Sequence, residues 1–280
     1  MYSTTPELPG EIISALSPLA VAYSGGVDST LLLKIAHDIL KDSCIAITID
    51  APYHLRKEIE DAKAFTTAIG VRHIVIPLDP ATVPGLMDNP PDRCYLCKHA
   101  IIRLCLSTLT SGHWTLAHGP WTLTDGSNLD DLSAHRPGRR ALLELGVRSP
   151  LAEAGLTKED IRRLSLKLGL ETWNKPAQSC LLTRFPYGTC LESTMLQKVE
   201  RAEVSITGLG LKNVRVRSLP GLASIECDDP EAAKALLPEI VKICVDSGFS
   251  DVEIDPSGYR SGSMEVIPLF KRGSSDIINN

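Results

Sequence analysis

The first half of the chain alternates short apolar runs with longer amphipathic segments. Three runs have the length and the Val and Ile content of buried strands: LAVAYSG (19–25), CIAITIDA (44–51) and RHIVIPLD (72–79). The two segments between them have a helical period, VDSTLLLKIAHDILK (27–41) and LRKEIEDAKAFTTAIG (55–70). This alternation predicts repeated βαβ units, and hence an α/β fold with a doubly wound parallel sheet.

The middle of the chain is less regular. We expect a helix from about Tyr95 to Leu109, a further strand over HWTLAHG (113–119), and an irregular loop over 124–142 at the carboxyl edge of the sheet. The segment LTKEDIRRLSLKLGL predicts one amphipathic helix that closes the first domain, because Thr157 is suited to cap it and Asp160 follows three residues later. The stretch 171–193 has two prolines and no clean period, which favours an exposed connecting loop.

The last third predicts a small α+β domain. Its expected elements are a helix from about Ser193 to Thr207, strands over 213–219 and 222–227, one helix over 230–248 and a strand over 251–255, before a polar tail, 271–280, that is expected to fray. The predicted organisation is a first domain over 1–172, a connecting loop over 173–191 that carries Cys180, and a second domain over 192–280.

Composition and charge narrow the classes of function. The 280 residues are 43% hydrophobic, which is enough for a full core and excludes a disordered chain. A formal net charge of -5 argues against a broad basic surface for long nucleic acid, so a small-molecule substrate is favoured. No apolar run approaches the roughly 18 residues of a membrane span, and the N-terminus lacks the features of a signal peptide, so we expect a cytoplasmic protein.

The stretch YSGGVDST (23–30) links the first predicted strand to the first predicted helix. Adjacent glycines at this point allow a phosphate group to approach backbone N–H groups at the positive end of a helix dipole, although a glycine pair alone equally fits a plain tight turn. Serine and threonine hydroxyls add donors, and Asp28 is suited to hold Mg²⁺. The whole string resembles SGGxDS[ST], the PP-loop of ATP pyrophosphatases. The resemblance implies that ATP is bound by Ser24, Gly25, Gly26, Asp28, Ser29 and Thr30.

Three of the eight cysteines stand in patterns that fit metal or sulfur chemistry. Cys94 and Cys97 form a CxxC pair, and Cys180 lies in the predicted connecting loop. Three thiolates suit an iron-sulfur cluster with one iron left open, whereas a structural zinc site needs a fourth ligand, for which His99 or Cys190 is available. An incidental pair of thiols and a redox dithiol remain open for the CxxC pair. Four other cysteines are expected in the core: Cys44, Cys105, Cys227 and Cys244.

Eight motifs occur in an order that covers nearly the whole chain. They are YSGGVDST, RCYLCK, TDGSNLDD, RPGRRAL, SPLAEAGLTKEDIR, KPAQSCLLTRFPYG, RVRSLPGLASIE and GYRSGSM. Together they are similar to the LarE family of ATP-dependent sulfur transferases. The resemblance implies a PP-loop ATP pyrophosphatase domain followed by a substrate-binding and oligomerisation domain, a homo-oligomer, and transient contacts with other proteins of nickel-pincer nucleotide biosynthesis.

The resemblance also implies a reaction. The family makes the thiocarboxylate groups of the nickel-pincer nucleotide, which lactate racemase uses, from pyridinium-3,5-biscarboxylic acid mononucleotide. A carboxylate is adenylated at the PP-loop with ATP and Mg²⁺, pyrophosphate leaves, and a sulfur nucleophile displaces AMP. In one branch the cysteine matching Cys180 gives up its sulfur and becomes dehydroalanine. In the other, a 4Fe-4S cluster is held by the CxxC pair and the loop cysteine, and the presence of Cys94 and Cys97 favours this branch.

The substrate carries carboxylates and a phosphate, which arginine binds well in fork geometry. Arg215 and Arg217 alternate along a predicted strand and so share a face, a pattern that also fits a solvated basic surface. The resemblance implies Arg215 and Arg217 as anion ligands and Glu203 as a polar site residue, with Arg184 as a further candidate.

Other polar candidates lie near the expected carboxyl edge of the sheet. Asp125, Asn128 and Asp131 are suited to orient ATP, Mg²⁺ or the substrate, and equally to cap a helix or a turn. Asp50, at the end of the second predicted strand, is expected to meet the ribose, and Lys98 to offset phosphate charge.

Two other functions fit parts of the pattern. A tRNA thiolation enzyme also joins a PP-loop to a cluster held by CxxC and one more cysteine, but the acidic balance and the motifs of the second half argue against it. An ATP-responsive iron-sulfur sensor would bind ATP without turnover.

Overall fold

The computed structural model describes residues 9–111, 120–133, 137–260 and 262–265. The chain divides into two compact units, Met1–Leu86 with Asp92–Cys180, and Met87–Pro91 with Leu181–Asn280. The division at Cys180 falls inside the predicted connecting segment. No helix in the described ranges is both long and apolar enough to cross a membrane.

The first unit is an α/β fold built on four parallel strands. In chain order its elements are α1 (Gly10–Ala15), β1 (Leu19–Ala22), α2 (Val27–Leu40), β2 (Cys44–Asp50), α3 (Arg56–Ile69), β3 (Arg72–Pro77), α4 (Arg93–Thr110), β4 (Thr122–Thr124), α5 (Leu129–Ser133), α6 (Pro137–Glu144), α7 (Pro150–Glu153) and α8 (Lys158–Lys167). Short 3-10 turns lie at Lys41–Ser43, Pro80–Thr82, Leu86–Asp88 and Glu171–Asn174. The predicted α/β class with a parallel sheet is confirmed.

The strand order β3-β2-β1-β4 places β1 inside the sheet. Leu19 is in register with Cys44 of β2 and with Thr122 of β4, and both neighbours run parallel to β1. Leu19, Ala20 and Val21 are fully buried, as expected for a strand covered on both faces. The glycine stretch therefore leaves the sheet from an inner strand, at the carboxyl edge where such folds bind ligands.

Two expectations for the middle of the chain need comment. The strand predicted at HWTLAHG lies on residues 113–119, outside the described ranges. The loop predicted over 124–142 contains the short helices α5 and α6, so the prediction of irregular structure there was wrong. The start of α5 is stabilised by reciprocal bonds: Asn128 N donates to Asp131 Oδ2 (3.1 Å), and Asp131 N donates to Asn128 Oδ1 (3.2 Å).

Two helices of the first unit agree with the sequence pattern. Helix α4 covers the predicted range and begins two residues earlier, at Arg93. Helix α8 has the predicted capping box, in which the Thr157 side chain accepts from Asp160 N and the Asp160 carboxylate accepts from Thr157 N.

The second unit is a small α+β fold, as predicted. It consists of a 3-10 turn (Leu181–Arg184), α9 (Ser193–Thr207), β5 (Arg215–Leu219), β6 (Leu222–Glu226), α10 (Pro230–Ala235), α11 (Leu237–Asp246), β7 (Asp251–Ile254) and a 3-10 turn (Ser263–Glu265). Its sheet has the order β5-β6-β7, with β5 antiparallel and β7 parallel to β6.

Two corrections concern this half of the chain. The single helix expected over 230–248 is divided between α10 and α11 at Leu236, because Pro238 lacks the N–H donor of a continuous helix and its ring crowds the carbonyl group four residues earlier. The connecting segment was expected to be exposed, but Leu181, Leu182 and Phe185 are buried as apolar residues of the second unit.

Candidate active site

The glycine stretch forms a turn that only glycine fits at Gly25. Its φ of +72° lies in the left-handed region, and a β-carbon there would lie 3.4 Å from the carbonyl oxygen of Glu58. The chain then enters α2 at Val27, so the free backbone N–H groups of the first helical turn lie beside the glycines. This arrangement is suited to bind phosphate.

The hydroxyl groups of the stretch stabilise its shape. Ser29 Oγ lies 3.1 Å from Ser24 Oγ and donates to the carbonyl oxygen of Gly26 (3.3 Å). Thr30 is fully buried, and its Oγ1 lies 3.3 Å from the hydroxyl of Tyr23. The loop is thus held in place by its own side chains.

Gly126 brings a second loop against the start of α2. A β-carbon at this position would lie 2.8 Å from the backbone nitrogen of Ser29. The motif TDGSNLDD pointed to Asp125, Asn128 and Asp131, whereas the sequence reasoning missed Gly126. The Asp-Gly dipeptide was the available signal, because it marks a turn.

The Asp28 carboxylate is held by two side chains from later segments. Asn128 Nδ2 donates to Asp28 Oδ1 (3.2 Å), and Lys158 Nζ donates to Asp28 Oδ2 (2.6 Å). Each carboxylate oxygen has a further lone pair, so Asp28 also fits Mg²⁺ coordinated with water and ATP phosphates. Lys158 was missed, since the first residue of a surface helix gives no signal in the sequence.

Lys175 also reaches the glycine loop. Its Nζ donates to the carbonyl oxygen of Gly25 (3.1 Å) and lies 3.8 Å from Glu58 and 3.9 Å from Asp61. The backbone here is fixed by Arg162, which donates to the carbonyl oxygen of Lys175 (2.9 Å). Lys175 was not singled out, although it begins the motif KPAQSC five residues before Cys180.

The remaining polar candidates of the first unit have partners within the fold. Asp50 forms an ion pair with Arg56 at the end of β2. Asp125 is buried and accepts from Ser127 Oγ and Ser149 Oγ, each at 2.7 Å. Asp131 takes part in the reciprocal bonds at α5.

Cys97 is half-buried, and the groups that act on it include the other two candidate cysteines. Burial, reinforced by Cys180 and more weakly by Cys94, raises the pKa of the Cys97 thiol to about 12, whereas Lys98 acts in the opposite direction. Cys97 Sγ donates to the hydroxyl of Tyr53 (3.3 Å). Cys180 is half-buried and Cys94 is exposed.

The other cysteines separate clearly from this set. Cys190 is exposed, and the four predicted core cysteines are buried, which confirms that prediction. The buried ones are Cys44, Cys105, Cys227 and Cys244.

The three candidate cysteines lie in one neighbourhood of the first unit, because Cys180 and Cys94 both act on the pKa of Cys97. Across the described ranges, no group of three or more His, Cys, Asp and Glu side chains is placed to hold a metal ion. Cysteine thiolates are the ligands that hold iron-sulfur clusters, so the residue types at these three positions are those that such a cluster uses.

In the second unit, Arg184 and Glu203 form a buried bidentate ion pair. Arg184 is fully buried, with Nε 2.7 Å and Nη2 3.0 Å from the two carboxylate oxygens of Glu203. Glu203 Oε1 also accepts from the backbone nitrogen of Val216 (2.9 Å). The predicted pair of site residues therefore neutralise each other and fix β5 against α9.

Arg215 and Arg217 lie on β5 beside this pair. Arg217 donates to Glu226 Oε2 (2.7 Å), while its buried Nε has no hydrogen-bond partner among the described residues. Arg215 lies over the ring of Tyr259 at 5.0 Å, and burial, followed by the charge of Arg184, lowers the pKa of its guanidinium.

The arginine cluster lies beside a pocket that also contains carboxylates. The three arginines face two carboxylates, Glu203 and Glu226, which leaves one net positive charge. Arg217 and Arg260 line a pocket of about 300 Å³ together with three carboxylates, Glu226, Glu253 and Asp255. The charged residues of this lining sum to one net negative charge, so an anion would have to bind at the guanidinium groups rather than to the pocket as a whole.

The glycine turn at the end of an inner parallel strand, with a helix N-terminus beside it, defines an ATP-dependent enzyme of the PP-loop class. Residues 14–86 match the family model described as NAD synthase. The chain is 33% identical over 259 residues to pyridinium-3,5-bisthiocarboxylic acid mononucleotide synthase of Lactiplantibacillus plantarum, covering 90% of this chain and 92% of that protein. The chain belongs to the family of that synthase, the LarE family.

Two further relatives extend across nearly the same length. The chain is 41% identical over 262 residues to an uncharacterized protein of Synechocystis, covering 92% of this chain and 94% of the relative. It is 31% identical over 245 residues to an uncharacterized protein of Methanocaldococcus jannaschii, covering 87% and 91%.

Proposed function

We propose that this protein uses ATP to convert a carboxylate of pyridinium-3,5-biscarboxylic acid mononucleotide into a thiocarboxylate, in nickel-pincer nucleotide biosynthesis. The observation that carries the proposal is the PP-loop geometry, in a chain that matches the Lactiplantibacillus plantarum synthase over 92% of that protein. The proposed reaction has two steps, adenylation and sulfur transfer.

Adenylation is assigned to the first unit. A substrate carboxylate oxygen attacks the α-phosphorus of ATP, the bond to the oxygen bridging the α- and β-phosphates breaks, and pyrophosphate leaves. The N–H groups beside Gly25 and Gly26 stabilise the pyrophosphate, Lys175 offsets its charge, and Asp28 holds Mg²⁺. Asp50, at the carboxyl edge, is assigned to the ribose.

Sulfur transfer is assigned to the cysteine set. A sulfur nucleophile attacks the acyl carbon, and AMP leaves with the oxygen that joined it to that carbon, which gives the thiocarboxylate. Cys94, Cys97 and Cys180 would hold a 4Fe-4S cluster, which when bound would supply sulfide through the iron that no cysteine ligates. Lys98 lies beside these sulfurs and neutralises part of their charge.

The anionic groups of the substrate are assigned to the second unit. Arg217 has an unused buried N–H beside the pocket, and Arg215 shares its face of β5, so these two are the proposed ligands of a carboxylate or phosphate. Arg184 and Glu203 occupy each other and act as positioning residues. Asp125 and Asp131 similarly shape the loop that contacts α2.

The proposal is tested by anaerobic reconstitution with iron and sulfide, followed by turnover with ATP and the dicarboxylate nucleotide. We expect equal amounts of pyrophosphate and AMP, a thiocarboxylate product detected by mass spectrometry, and about four iron atoms per chain. Cys94→Ala should lose iron and product. Cys190→Ala, which removes an exposed cysteine outside the set, should behave as wild type.

Two results would change the assignment. A loss of one hydrogen sulfide from Cys180 after turnover would identify that residue as the sacrificed sulfur donor in place of the cluster. Tight, salt-dependent binding of tRNA with no pyrophosphate release from the dicarboxylate nucleotide would overturn the proposed substrate.

A further inference from the structure

Tyr53 is a fully buried phenol whose hydroxyl has a sulfur atom as its partner. The residue follows β2 and is 0% exposed, and Cys97 Sγ lies 3.3 Å from its hydroxyl. The described residues offer this hydroxyl no other hydrogen-bond partner. A buried tyrosine hydroxyl normally has a hydrogen-bond partner, and for Tyr53 that partner is the Cys97 sulfur.

The direction of this bond depends on the state of Cys97. With a thiol, the S–H group donates to the phenol oxygen, as the structure has it. A metal-bound cysteine is a thiolate and has no proton to donate. The phenol then keeps its bond only by turning its own O–H towards the sulfur.

We infer that Tyr53 is a positioning residue that donates a hydrogen bond to the Cys97 sulfur whenever that sulfur carries negative charge. The inference rests on the proposed function, because it attributes the negative charge of the Cys97 sulfur to binding of the cluster. A phenol keeps its proton at neutral pH, so Tyr53 remains a donor. Cys97 is half-buried, and a donated hydrogen bond replaces part of the solvation that its thiolate lacks.

Hydrogen bonds to ligand sulfurs are one of the ways in which a protein sets the reduction potential of an iron-sulfur cluster. A donated bond withdraws charge from the sulfur and so favours the reduced, more negative cluster. Without the Tyr53 hydroxyl, the reduced cluster should become harder to form.

The test compares Tyr53→Phe with Tyr95→Phe after reconstitution. Tyr95 lies inside the CxxC pair, but its hydroxyl donates to Glu144 (2.7 Å) and not to a sulfur, so it is a matched control. We expect both variants to keep wild-type iron and sulfide content, and only Tyr53→Phe to show a more negative midpoint potential in a titration followed by electron paramagnetic resonance. An unchanged midpoint in Tyr53→Phe would overturn the inference.

A second measurement does not depend on the cluster. In the metal-free protein, the S–H stretching band of Cys97 can be identified in Raman spectra as the band missing from Cys97→Ser. We expect Tyr53→Phe to shift this band to higher frequency, because the hydrogen bond to the phenol is lost, and Tyr95→Phe to leave it in place. An unshifted band in Tyr53→Phe would refute the contact between Tyr53 and Cys97. Failure of the wild-type protein to take up iron would refute the proposed cluster and leave this contact standing.

Discussion

The glycine loop and the arginine cluster are both candidate anion sites, but they are built in opposite ways. The loop comes from one continuous stretch and presents backbone N–H groups, with no full charge buried in it. The cluster gathers Arg184 from the 3-10 turn at Leu181–Arg184 and Arg215 and Arg217 from β5, buries all three, and needs Glu203 and Glu226 to compensate them. A site made of backbone dipoles needs no residues of opposite charge. A site made of buried full charges needs such partners, and the resulting ion pairs contribute to the stability of the unit. Damage to the loop should therefore affect ATP use first, and damage to the cluster should affect stability first.

The largest expected effect is on the cluster. Glu203→Ala removes the partner of a fully buried guanidinium, and breaking a buried ion pair in this way costs about 3–5 kcal/mol. Urea denaturation should show this loss in the free energy of unfolding. Glu231→Ala, which breaks an exposed pair with Lys234 in the same unit, is the control and should cost less than about 1 kcal/mol. Equal losses in the two variants would contradict the distinction between the sites.

The next effect concerns the close contact at the loop. Gly126→Ala places a methyl group 2.8 Å from Ser29 N, so one of the two segments must shift, at a cost of about 1–3 kcal/mol. ATP-dependent pyrophosphate release should fall further than stability does, because the start of α2 is displaced. Gly10→Ala, whose β-carbon would lie 3.6 Å from the nearest atom, should leave both unchanged. Wild-type activity in Gly126→Ala would show that the position of this loop is not critical.

The difference between the two sites also explains what the sequence could predict. The glycine loop is local, so residues 23–30 predict the turn, the strand before it and the helix after it. The βαβ order and the capping box of α8 follow from equally local patterns.

Contacts between distant segments have no such signature. Lys158 reaches Asp28 across 130 residues, and Lys175 reaches Gly25 across 150. Both lysines stand in motifs of the sequence, but neither motif shows what its lysine contacts. The motif around Arg184 likewise offers it as a further candidate ligand but does not show that its guanidinium is paired with Glu203. The same limit applies to Tyr53, whose neighbour Cys97 is 44 residues away.

Lys175 tests whether the loop relies on backbone groups alone. Lys175→Met removes the one ammonium group that the described residues place within 3.1 Å of the glycine turn. A hydrogen bond from a charged group to a phosphate of ATP is worth about 1.5–3 kcal/mol, so kcat/KM for ATP should fall about 10- to 100-fold, while loss of the bond to Gly25 should lower the free energy of unfolding by about 1 kcal/mol. Lys57→Met, which loses an exposed ammonium paired with Asp61, should keep wild-type kinetics. Unaltered kinetics in Lys175→Met would show that the phosphates of ATP do not depend on this ammonium group, and that the backbone N–H groups of the loop suffice.

The effect that is smallest at neutral pH concerns the uncharged polar groups next to the glycine stretch. His73 lies 2.7 Å from Thr48 Oγ1, which donates to the carbonyl oxygen of Tyr23, directly before the glycine stretch. Burial, followed by Lys63, lowers the pKa of His73 from 6.5 to about 4. The folded state therefore binds this proton more weakly than the unfolded state does, so the stability that His73 contributes is complete above pH 6.5 and is lost as the pH falls towards 4.

A difference of one bound proton changes the free energy of unfolding by at most about 1.4 kcal/mol per pH unit, and this limits the contribution of His73 to the slope. His73→Gln should flatten the decline in free energy of unfolding between pH 6.5 and 4 without removing it, because burial also lowers the pKa of His54 to about 4. His54→Gln should remove a second part of the slope. If the curves of wild type and His73→Gln run parallel, the ring is not kept neutral by the fold. The glycine loop would then have a charged imidazole packed beside it at acid pH. It would no longer differ from the arginine cluster in burying no full charge.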